Sequence, residues 1–226
     1  MLIGRIGSGK SYIAQRLTET IGAVRLSFGA AVYELSESVI GRKIDKSRPG
    51  DREILTAVGT TWGRKGEKIR EDLQAGLPIH WLGRHGYADM WVDELERRVN
   101  ALPADVPVVV DDTRFPNEFW RLNLSMQFMP TCVICSSGMR MKRLGLRGDR
   151  FLPRQDEHES ELLPARISDV ALEVNVMPVL WNDHPLTKPT GDWIFTFDEW
   201  IDALSSRKLY CDYELVRNTI DGVEDA

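Results

Sequence analysis

The chain has 226 residues, of which 42% are hydrophobic and 28% are charged, and this balance excludes wholesale disorder and favours one α/β domain. The formal net charge of −5 at pH 7 argues against a surface that coats nucleic acid broadly. The sequence has neither the pattern of a signal peptide nor a long apolar span, so we expect a soluble cytoplasmic protein with no membrane partner.

The first motif in chain order is GRIGSGKS, from Gly4 to Ser11, which fits the spacing of a phosphate-binding P-loop. Glycines let backbone N–H groups turn inward around a polyphosphate, and a helix that begins near Lys10 adds the positive end of its dipole. Lys10 is predicted to reach the β- and γ-phosphates of ATP, and the Ser11 hydroxyl is predicted to bind Mg²⁺. Gly7, Ser8 and Gly9 complete this predicted cofactor site.

The segments around the loop predict alternating strands and helices. Residues 1–3 predict a short strand, and Ile13, Ala14 and Leu17 predict the buried face of a helix that Gly22 ends. A strand at 24–28, a helix over 30–40 and a positively charged loop at 41–50 follow. A helix from residue 51 is then predicted to end at Gly59.

Residues 41–87 are interpreted as an acceptor-binding or inserted region, because the segment from Trp62 mixes charge, glycine and aromatic residues. The helix predicted over 88–99 has a buried stripe that includes Trp91 and Leu95. Trp91 fits a core position and an acceptor-binding position equally well.

The valine-rich run at 106–110 predicts a parallel strand that is covered on both faces. It leads into Asp111, Asp112, Thr113 and Arg114, and ligands of open parallel sheets bind beyond the carboxyl ends of the strands. Asp112 and Arg114 are therefore candidates for catalysis, while the alternative is a solvated turn with a helix-capping Asp. Pro116 suits the first turn of the next helix.

A basic segment follows the strand predicted at 131–135. Cys132 and Cys135 have the spacing of a redox motif, but they lie in an apolar run and are interpreted as buried core thiols. Residues 136–160 are predicted to form a mobile lid whose arginines close onto transferring phosphates, with a solvated basic face as the alternative. The basic residues are Arg140, Lys142, Arg143, Arg147, Arg150 and Arg154, of which Arg143 is assigned to the nucleotide and Arg147 and Arg150 to catalysis.

The C-terminal part predicts a last strand within 174–181 and a helix after a capping box at Thr196 and Glu199. The helix carries Phe197 and Trp200 on its apolar face. Residues 211–226 are polar and acidic and are predicted to fray, so a single domain is expected to span residues 1–210.

Four stretches together resemble the phage deoxynucleoside monophosphate kinases and the related phage hydroxymethyluracil DNA kinases. These stretches are the loop at 4–11, REILTAVGT at 52–60, Asp112-Thr113-Arg114 with Glu118, and HESEL at 158–162. The resemblance runs from Gly4 to about Asp183. Two departures from the family pattern are an extended, arginine-rich lid and apparent insertions at 63–86 and 185–193.

The resemblance implies a P-loop kinase three-layer fold with a central parallel sheet, a helical acceptor-binding region and an arginine-rich lid. It implies ATP and Mg²⁺ as cofactors, with Ser11 and, through water, Asp112 at the metal. It further implies a phage-encoded enzyme in the host cytoplasm, and it leaves a homodimer open. Residues assigned to the acceptor are Arg52, Trp62, Arg64, Trp91, Arg114, Glu118, His158 and Glu161.

Three functions follow as expectations. The first is transfer of the γ-phosphate of ATP to a deoxynucleoside monophosphate, which gives the diphosphate and ADP. The second is phosphorylation of 5-hydroxymethyluracil in DNA, where Asp111 or Asp112 acts as the base, the lid and the loop at 41–48 contact DNA, and the target base is flipped out. The third is a nucleotide-binding protein without catalysis.

Overall fold

The structure is a computed structural model, and it describes residues 1–64, 89–146, 159–173, 175–183, 188–214 and 216–218. The chain divides into two compact units. The first unit contains Met1–Arg25 and Pro107–Ala226, and the second contains Leu26–Val106. The protein is of the mixed α/β class with a central parallel sheet of four strands, which confirms the predicted fold class at this level.

The four-stranded sheet lies in the first unit and has the strand order β1-β4-β5-β6. All neighbouring pairs are parallel, with Ile3 opposite Cys132 and Cys132 opposite Val179. The sequence predicts three of these strands from their apolar runs but misses β6, because two residues are too few to give a periodic pattern. The strands are β1 Leu2–Ile3, β4 Thr131–Ile134, β5 Val179–Trp181 and β6 Ile194–Phe195.

A separate two-stranded sheet pairs β2, Val24–Leu26, with β3, Val108–Val110. Val109 and Val110 are buried, as the valine run predicts. However, β3 pairs with β2 and not with a strand of the four-stranded sheet. A continuous apolar run predicts burial of a strand, but it carries no information about which strand lies beside it.

Helix α1, Lys10–Ile21, packs its predicted apolar face into the core of the first unit. Ile13, Ala14 and Leu17 are buried, and Gly22 ends the helix in the left-handed conformation at φ 68°. A Cβ atom would be strained there, so glycine is the residue that stops the helix at this point. The buried residues of this core are Leu2, Ile13, Ala14, Leu17, Ala23, Val109, Val133, Leu180, Phe197 and Trp200.

In the described residues from β3 to Leu146, two helices follow the strand. Pro116 occupies the first position of helix α5, Pro116–Trp120, as predicted, and the helix continues as a π-helical segment, Arg121–Ser125. Helix α6, Ser137–Leu146, forms the first part of the predicted lid.

Helix α7, Glu159–Glu173, is missed by the sequence pattern. Its buried face contains Leu163, Ile167 and Ala171, four residues apart, but Pro164 inside the helix hides this signal. Proline removes one backbone donor and crowds the preceding turn. The Ser168 hydroxyl donates to the Pro164 carbonyl at 2.7 Å.

The C-terminal part begins with helix α8, Phe197–Ser205, whose N-terminus is the predicted capping box of Thr196 and Glu199. The expectation that the chain frays from residue 211 is wrong for its first part. Cys211 and Val216 are 4% and 1% exposed, so two apolar side chains anchor this segment to the first unit. Residues 219–226 lie outside the described residues.

The described part of the second unit contains α2, Phe28–Ile40, α3, Asp51–Thr56, and α4, Met90–Asn100. The prediction that the helix from residue 51 ends at Gly59 is wrong. Helix α3 continues as a π-helical segment, Ala57–Trp62, and the Gly63 N–H donates to the Val58 carbonyl at 3.0 Å. This bond spans five residues and defines a π turn, so Gly59 lies inside the helical segment and does not cap it.

The length and hydropathy of each helix show whether it could span a membrane. In the described ranges, we find no helix that is both long enough and apolar enough to span a bilayer.

Candidate functional site

The loop between β1 and α1 has the backbone conformation that its glycines allow. Gly4, Gly7 and Gly9 have φ angles of 148°, 80° and 96°, which L-residues with a Cβ atom rarely adopt. A Cβ on Gly4 would overlap the Val133 carbonyl oxygen. The glycines of the motif are therefore required by the path of the chain, and this path is what a phosphate-binding loop needs.

Lys10 begins helix α1 and turns its ammonium group back onto the loop. Its Nζ donates to the carbonyl oxygens of Gly4 at 2.5 Å and Arg5 at 3.1 Å. Burial, together with the positive charge of Arg114, lowers the pKa of Lys10 to about 8. The first N–H groups of a helix have no intrahelical acceptor, so this end of α1 offers backbone donors beside a lysine charge.

The Ser8 carbonyl oxygen is held from outside the loop by two side chains. Arg143 Nη1 donates to it at 2.8 Å and Asn182 Nδ2 at 2.9 Å, while Arg143 Nη2 donates to the Asn182 carbonyl at 2.8 Å. A Cβ on Gly9 would overlap Asn182 Nδ2. The predicted nucleotide residue Arg143 thus holds the loop itself, and Asn182 is a site residue that the sequence analysis missed.

Glu161 and Arg114 meet at the same loop. Glu161 is 5% exposed, and its Oε2 accepts the Ile6 N–H while its Oε1 accepts Arg114 Nη1, each at 2.9 Å. The structure therefore brings Arg114 and Glu161 together with the loop, as their assignment to one site requires. Glu161 contacts Arg114 and the backbone of the loop, and Arg114 Nη1 also lies 3.5 Å from the Ser160 hydroxyl oxygen.

Glu118, which is assigned to the acceptor, has a structural contact instead. It is 1% exposed, and its Oε2 accepts the N–H groups of Arg114 at 2.8 Å and Phe115 at 3.2 Å. A carboxylate on these amides stabilises the start of helix α5. Because its side chain is buried, Glu118 is poorly placed to contact the acceptor substrate directly.

The two aspartates that follow β3, Asp111 and Asp112, differ in burial. Asp111 is 4% exposed and accepts two hydrogen bonds from Arg25, from Nε at 3.1 Å and from Nη2 at 2.7 Å. Asp112 is half-buried. Asp111 is therefore engaged by Arg25 in a buried bidentate pair, which is a structural contact.

Ser11 follows Lys10 on the first turn of α1, and its side chain is exposed. Among the described residues, no group of three or more His, Cys, Asp or Glu side chains is arranged to hold a metal ion. Mg²⁺ in phosphoryl-transfer sites is held by one or two protein oxygens together with substrate phosphates. Ser11 and Asp112 fit that kind of donor set, which needs no protein cage.

The aromatic residues that were assigned to the acceptor lie in the core of the second unit. Trp62 and Trp91 are 7% and 1% exposed and pack edge to face, with ring centroids 6.4 Å apart. Trp91 Nε1 and Arg64 Nη1 each donate to the Gly59 carbonyl at 2.9 Å. This favours the core interpretation of Trp91, because stacking on a base requires an accessible ring face.

The loop at 41–50 is less basic than its residue types indicate. Arg42 pairs with the buried Asp51 through two hydrogen bonds, and Lys43 pairs with Glu37 at 2.6 Å. The hydrogen bonds from Arg42 hold the pKa of Asp51 well below its usual range. The predicted acceptor residue Arg52 is exposed, and its Nε donates to the Lys46 carbonyl at 3.3 Å.

The two cysteines of the CVIC motif are free thiols. Cys132 is fully buried, and burial raises its pKa to about 12, which confirms the core interpretation. Cys135 is half-buried, and its Sγ lies 3.8 Å from the Gly7 carbonyl oxygen. It lines a cavity of about 250 Å³ that Ser8 and Arg140 also line.

Three predicted site residues, Arg147, Arg150 and His158, lie outside the described residues. Comparison of the chain with protein-family models gave no match. Comparison with curated proteins gave no match either.

Proposed function

We propose that the protein is an ATP-dependent phosphotransferase of the P-loop kinase type that acts on a deoxynucleoside monophosphate. The observation that carries this proposal is the loop at 4–11. Three of its glycines have positive φ, and it lies between a strand and a helix with the Lys10 ammonium turned onto it. Backbone N–H groups, a helix N-terminus and one lysine together form a site for a polyphosphate.

Catalysis of phosphoryl transfer depends mainly on positioning and charge neutralisation. In this proposal Lys10 exchanges its carbonyl partners for the β- and γ-phosphate oxygens of ATP. Mg²⁺, held by Ser11 and through water by Asp112, would neutralise part of the phosphate charge. Arg143 fixes the outer side of the loop, and the lid residues Arg147 and Arg150 are proposed to contact the transferring group.

The acceptor is proposed to be a mononucleotide, with its phosphate bound by Arg114. A phosphate oxygen is already anionic at neutral pH and needs little help from a base. The acidic net charge of −5 and the pairing of Arg42 and Lys43 with carboxylates both argue against a broad DNA-binding surface. The likeness of the four sequence stretches to phage kinases of this type supports a deoxynucleotide-class acceptor.

The second candidate is phosphorylation of hydroxymethyluracil in DNA, and the observation that favours it is Asp112. An alcohol acceptor needs a general base, and Asp112 follows a strand end in a half-buried position.

A labelling experiment tests the proposed function. The protein is incubated with γ-labelled ATP and, in parallel reactions, with each deoxynucleoside monophosphate and with duplex DNA that contains hydroxymethyluracil. We expect label in a deoxynucleoside diphosphate. Label in DNA would support the second candidate, and absence of label from all acceptors would contradict both.

Substitution of Asp112 by Asn separates the two acceptors further. A general base contributes about a hundredfold to ten-thousandfold, so an alcohol acceptor predicts a loss of that size and the loss of an acid-range pH dependence. A phosphate acceptor predicts a smaller loss with an unchanged profile. Asp198→Asn is the matched control, because Asp198 is an exposed aspartate whose side chain is 89% accessible.

A further inference from the structure

The main-chain carbonyl of Ser8 is held by two side chains that come from different elements of the first unit. Asn182 Nδ2 donates to this oxygen at 2.9 Å, and Arg143 Nη1 donates to it at 2.8 Å. A carbonyl oxygen has two lone pairs, so the two donors use both of them. The Ser8 carbonyl therefore faces Asn182 and Arg143, on the outer side of the loop at 4–11.

The direction of this carbonyl determines the direction of the next amide. A trans peptide unit is planar, and its C=O and N–H bonds point in opposite directions. Because the Ser8 carbonyl is turned towards Asn182 and Arg143, the Gly9 N–H points away from them, to the inner side of the loop. This N–H lies one residue before Lys10, which begins α1, at the helix end where a polyphosphate is proposed to bind.

Gly9 itself does not select this orientation. Its φ of 96° lies in the left-handed region, which glycine adopts about as readily as negative φ. Rotation of the peptide plane between Ser8 and Gly9 would turn the N–H outward and reverse the sign of this angle, at little cost to the backbone of Gly9. The hydrogen bonds to the Ser8 carbonyl are therefore what favours the orientation in the structure.

Asn182 is itself held in place by neighbouring elements. Its N–H donates to the Ile134 carbonyl of β4 at 2.8 Å, and its carbonyl accepts Arg143 Nη2 at 2.8 Å. The adjacent Asp183 is 1% exposed, and its Oδ2 accepts the Ser136 N–H at 2.7 Å. A side chain whose backbone is held on both sides can orient its partner with little further loss of conformational freedom.

We propose that Asn182 is a positioning residue that, together with Arg143, holds the peptide between Ser8 and Gly9 so that the Gly9 N–H donates to a phosphate oxygen of the bound nucleotide. Neither side chain has to touch the nucleotide in this role. The inference rests on the proposed function, because it names the residues that prepare the phosphate site of that function. Asn182 carries no charge, so an effect of removing it reports the orientation of the loop and not the loss of a cation.

Asn182→Leu tests the proposal, because leucine has a similar branched shape and cannot donate a hydrogen bond. The probe is inorganic tripolyphosphate, which offers phosphate oxygens without a nucleoside. We expect its affinity, measured by calorimetry, to fall by about tenfold, the lower end of the contribution of a hydrogen bond to a charged group. In ¹⁵N-labelled protein, tripolyphosphate should shift the Gly9 amide resonance of the parent and shift that of the variant much less.

Asn123→Leu is the matched control. Asn123 is a buried asparagine of the same unit, and its Nδ2 donates to the Phe128 carbonyl at 3.1 Å, outside the loop. This variant loses the same kind of hydrogen bond, but its tripolyphosphate affinity and its Gly9 shift should equal those of the parent. Equal affinities in Asn182→Leu and Asn123→Leu would overturn the proposal, as would a Gly9 resonance that responds alike in both.

Steady-state kinetics give a second readout. In Asn182→Leu, KM for ATP should rise by about tenfold while KM for the acceptor stays at the parent value, because the Gly9 amide is proposed to face the donor phosphates. A mere loss of folded protein would lower kcat and leave both KM values unchanged. That result, or a rise in the acceptor KM alone, would overturn the proposal.

Failure of the proposed function gives a different result. A parent protein that binds neither tripolyphosphate nor ATP would contradict the phosphate site itself, and with it both the proposed function and this inference. Binding by the parent without transfer of label to an acceptor would contradict only the kinase assignment. The comparison of Asn182→Leu with Asn123→Leu would then still decide the role of Asn182.

Should Asn182→Leu fail to fold, Asn182→Ala removes the same donor without adding apolar bulk. It is compared with Asn123→Ala in the same tripolyphosphate titration. A loss of affinity confined to Asn182→Ala supports the proposal, and equal affinities in the two alanine variants overturn it.

Discussion

The loop at 4–11 and the loop at 41–50 both contain cationic residues that the sequence marks as candidates for anion binding, but their cations have different partners. Lys10 donates to the carbonyl oxygens of Gly4 and Arg5. Arg42 and Lys43 donate instead to the carboxylates of Asp51 and Glu37.

This difference decides where positive charge is available. A carbonyl oxygen accepts a hydrogen bond from a cation but leaves its positive charge in place. A carboxylate accepts the hydrogen bond and also neutralises the charge. The loop at 4–11 therefore keeps the lysine charge for an incoming anion, and in the loop at 41–50 the paired charges stabilise the fold. The partner of a cation, more than its presence in a basic stretch, distinguishes a binding site from a structural ion pair.

The largest expected effect follows from removing the lysine that donates to carbonyls. Lys10→Ala should lower phosphoryl transfer by at least about a hundredfold, in line with the loss of one transition-state charge contact. Lys43→Ala, at a side chain that is 91% exposed, should retain transfer. Steady-state rates on variants whose fold is checked by circular dichroism measure both. Near-parent turnover in folded Lys10→Ala would remove the loop from the mechanism.

The next effect concerns the backbone of the same loop. Gly9→Ala places a Cβ at φ 96° where it overlaps Asn182 Nδ2, and the left-handed conformation alone costs about 1–2 kcal/mol. We expect ATP affinity to fall by about tenfold, measured by calorimetry. Gly138→Ala is the control, since nothing lies within 4 Å of its added methyl group. Equal affinities in the two variants would show that the loop conformation is unimportant for binding.

A smaller effect is expected from removing one of the two side chains, Arg143 and Asn182, that donate to the Ser8 carbonyl. Arg143→Ala removes two hydrogen bonds from a charged donor and should weaken ATP binding by about fivefold to tenfold, because these bonds hold the loop and do not contact ATP directly. Arg97→Ala removes an arginine that pairs with Glu94 at a 67% exposed position, so it should leave binding unchanged. If both variants bind ATP alike, carbonyl-bound arginine has no special role.

The smallest effect is a pH dependence. Because burial lowers the pKa of Lys10 to about 8, kcat/KM for ATP should be halved near pH 8 and fall further above it. The effect of Lys10 on stability runs in the opposite direction to its effect on activity. Above pH 8 the unfolded chain binds more protons at this lysine than the folded chain does, so the free energy of unfolding rises with pH. Measuring activity and thermal unfolding on the same samples separates the effect of pH on kcat/KM from its effect on stability. A flat profile through pH 9 would contradict the assignment of Lys10.

The sequence predicts local features of this molecule well, because they depend on neighbouring residues. The start of α1 near Lys10, the end of α1 at Gly22 and the capping box at Thr196 follow from short motifs. Each is determined within a few residues, so no knowledge of the remaining chain is needed.

Features that depend on distant residues could not be predicted in this way. The pairing of Arg25 with Asp111 and the clamp of Asn182 on Ser8 join positions far apart in the chain. Helix α7 was missed because Pro164 normally disfavours a helix interior, and here the buried Leu163 and Ile167 outweigh it. The four-stranded sheet contains β6, which was not predicted, and it does not contain β3, which pairs with β2 instead. Strand order could not be predicted because it depends on contacts between distant parts of the chain.

The three free thiols differ in burial. Cys132 and Cys211 are buried, and burial raises the pKa of each to about 12, so alkylating reagents should modify them slowly. Cys135 is half-buried and lies beside the Gly7 carbonyl, and its partial burial also raises its pKa. A thiol reagent should therefore modify Cys135 first, and protection of this natural cysteine by a ligand would report occupancy of the neighbouring loop without an introduced probe.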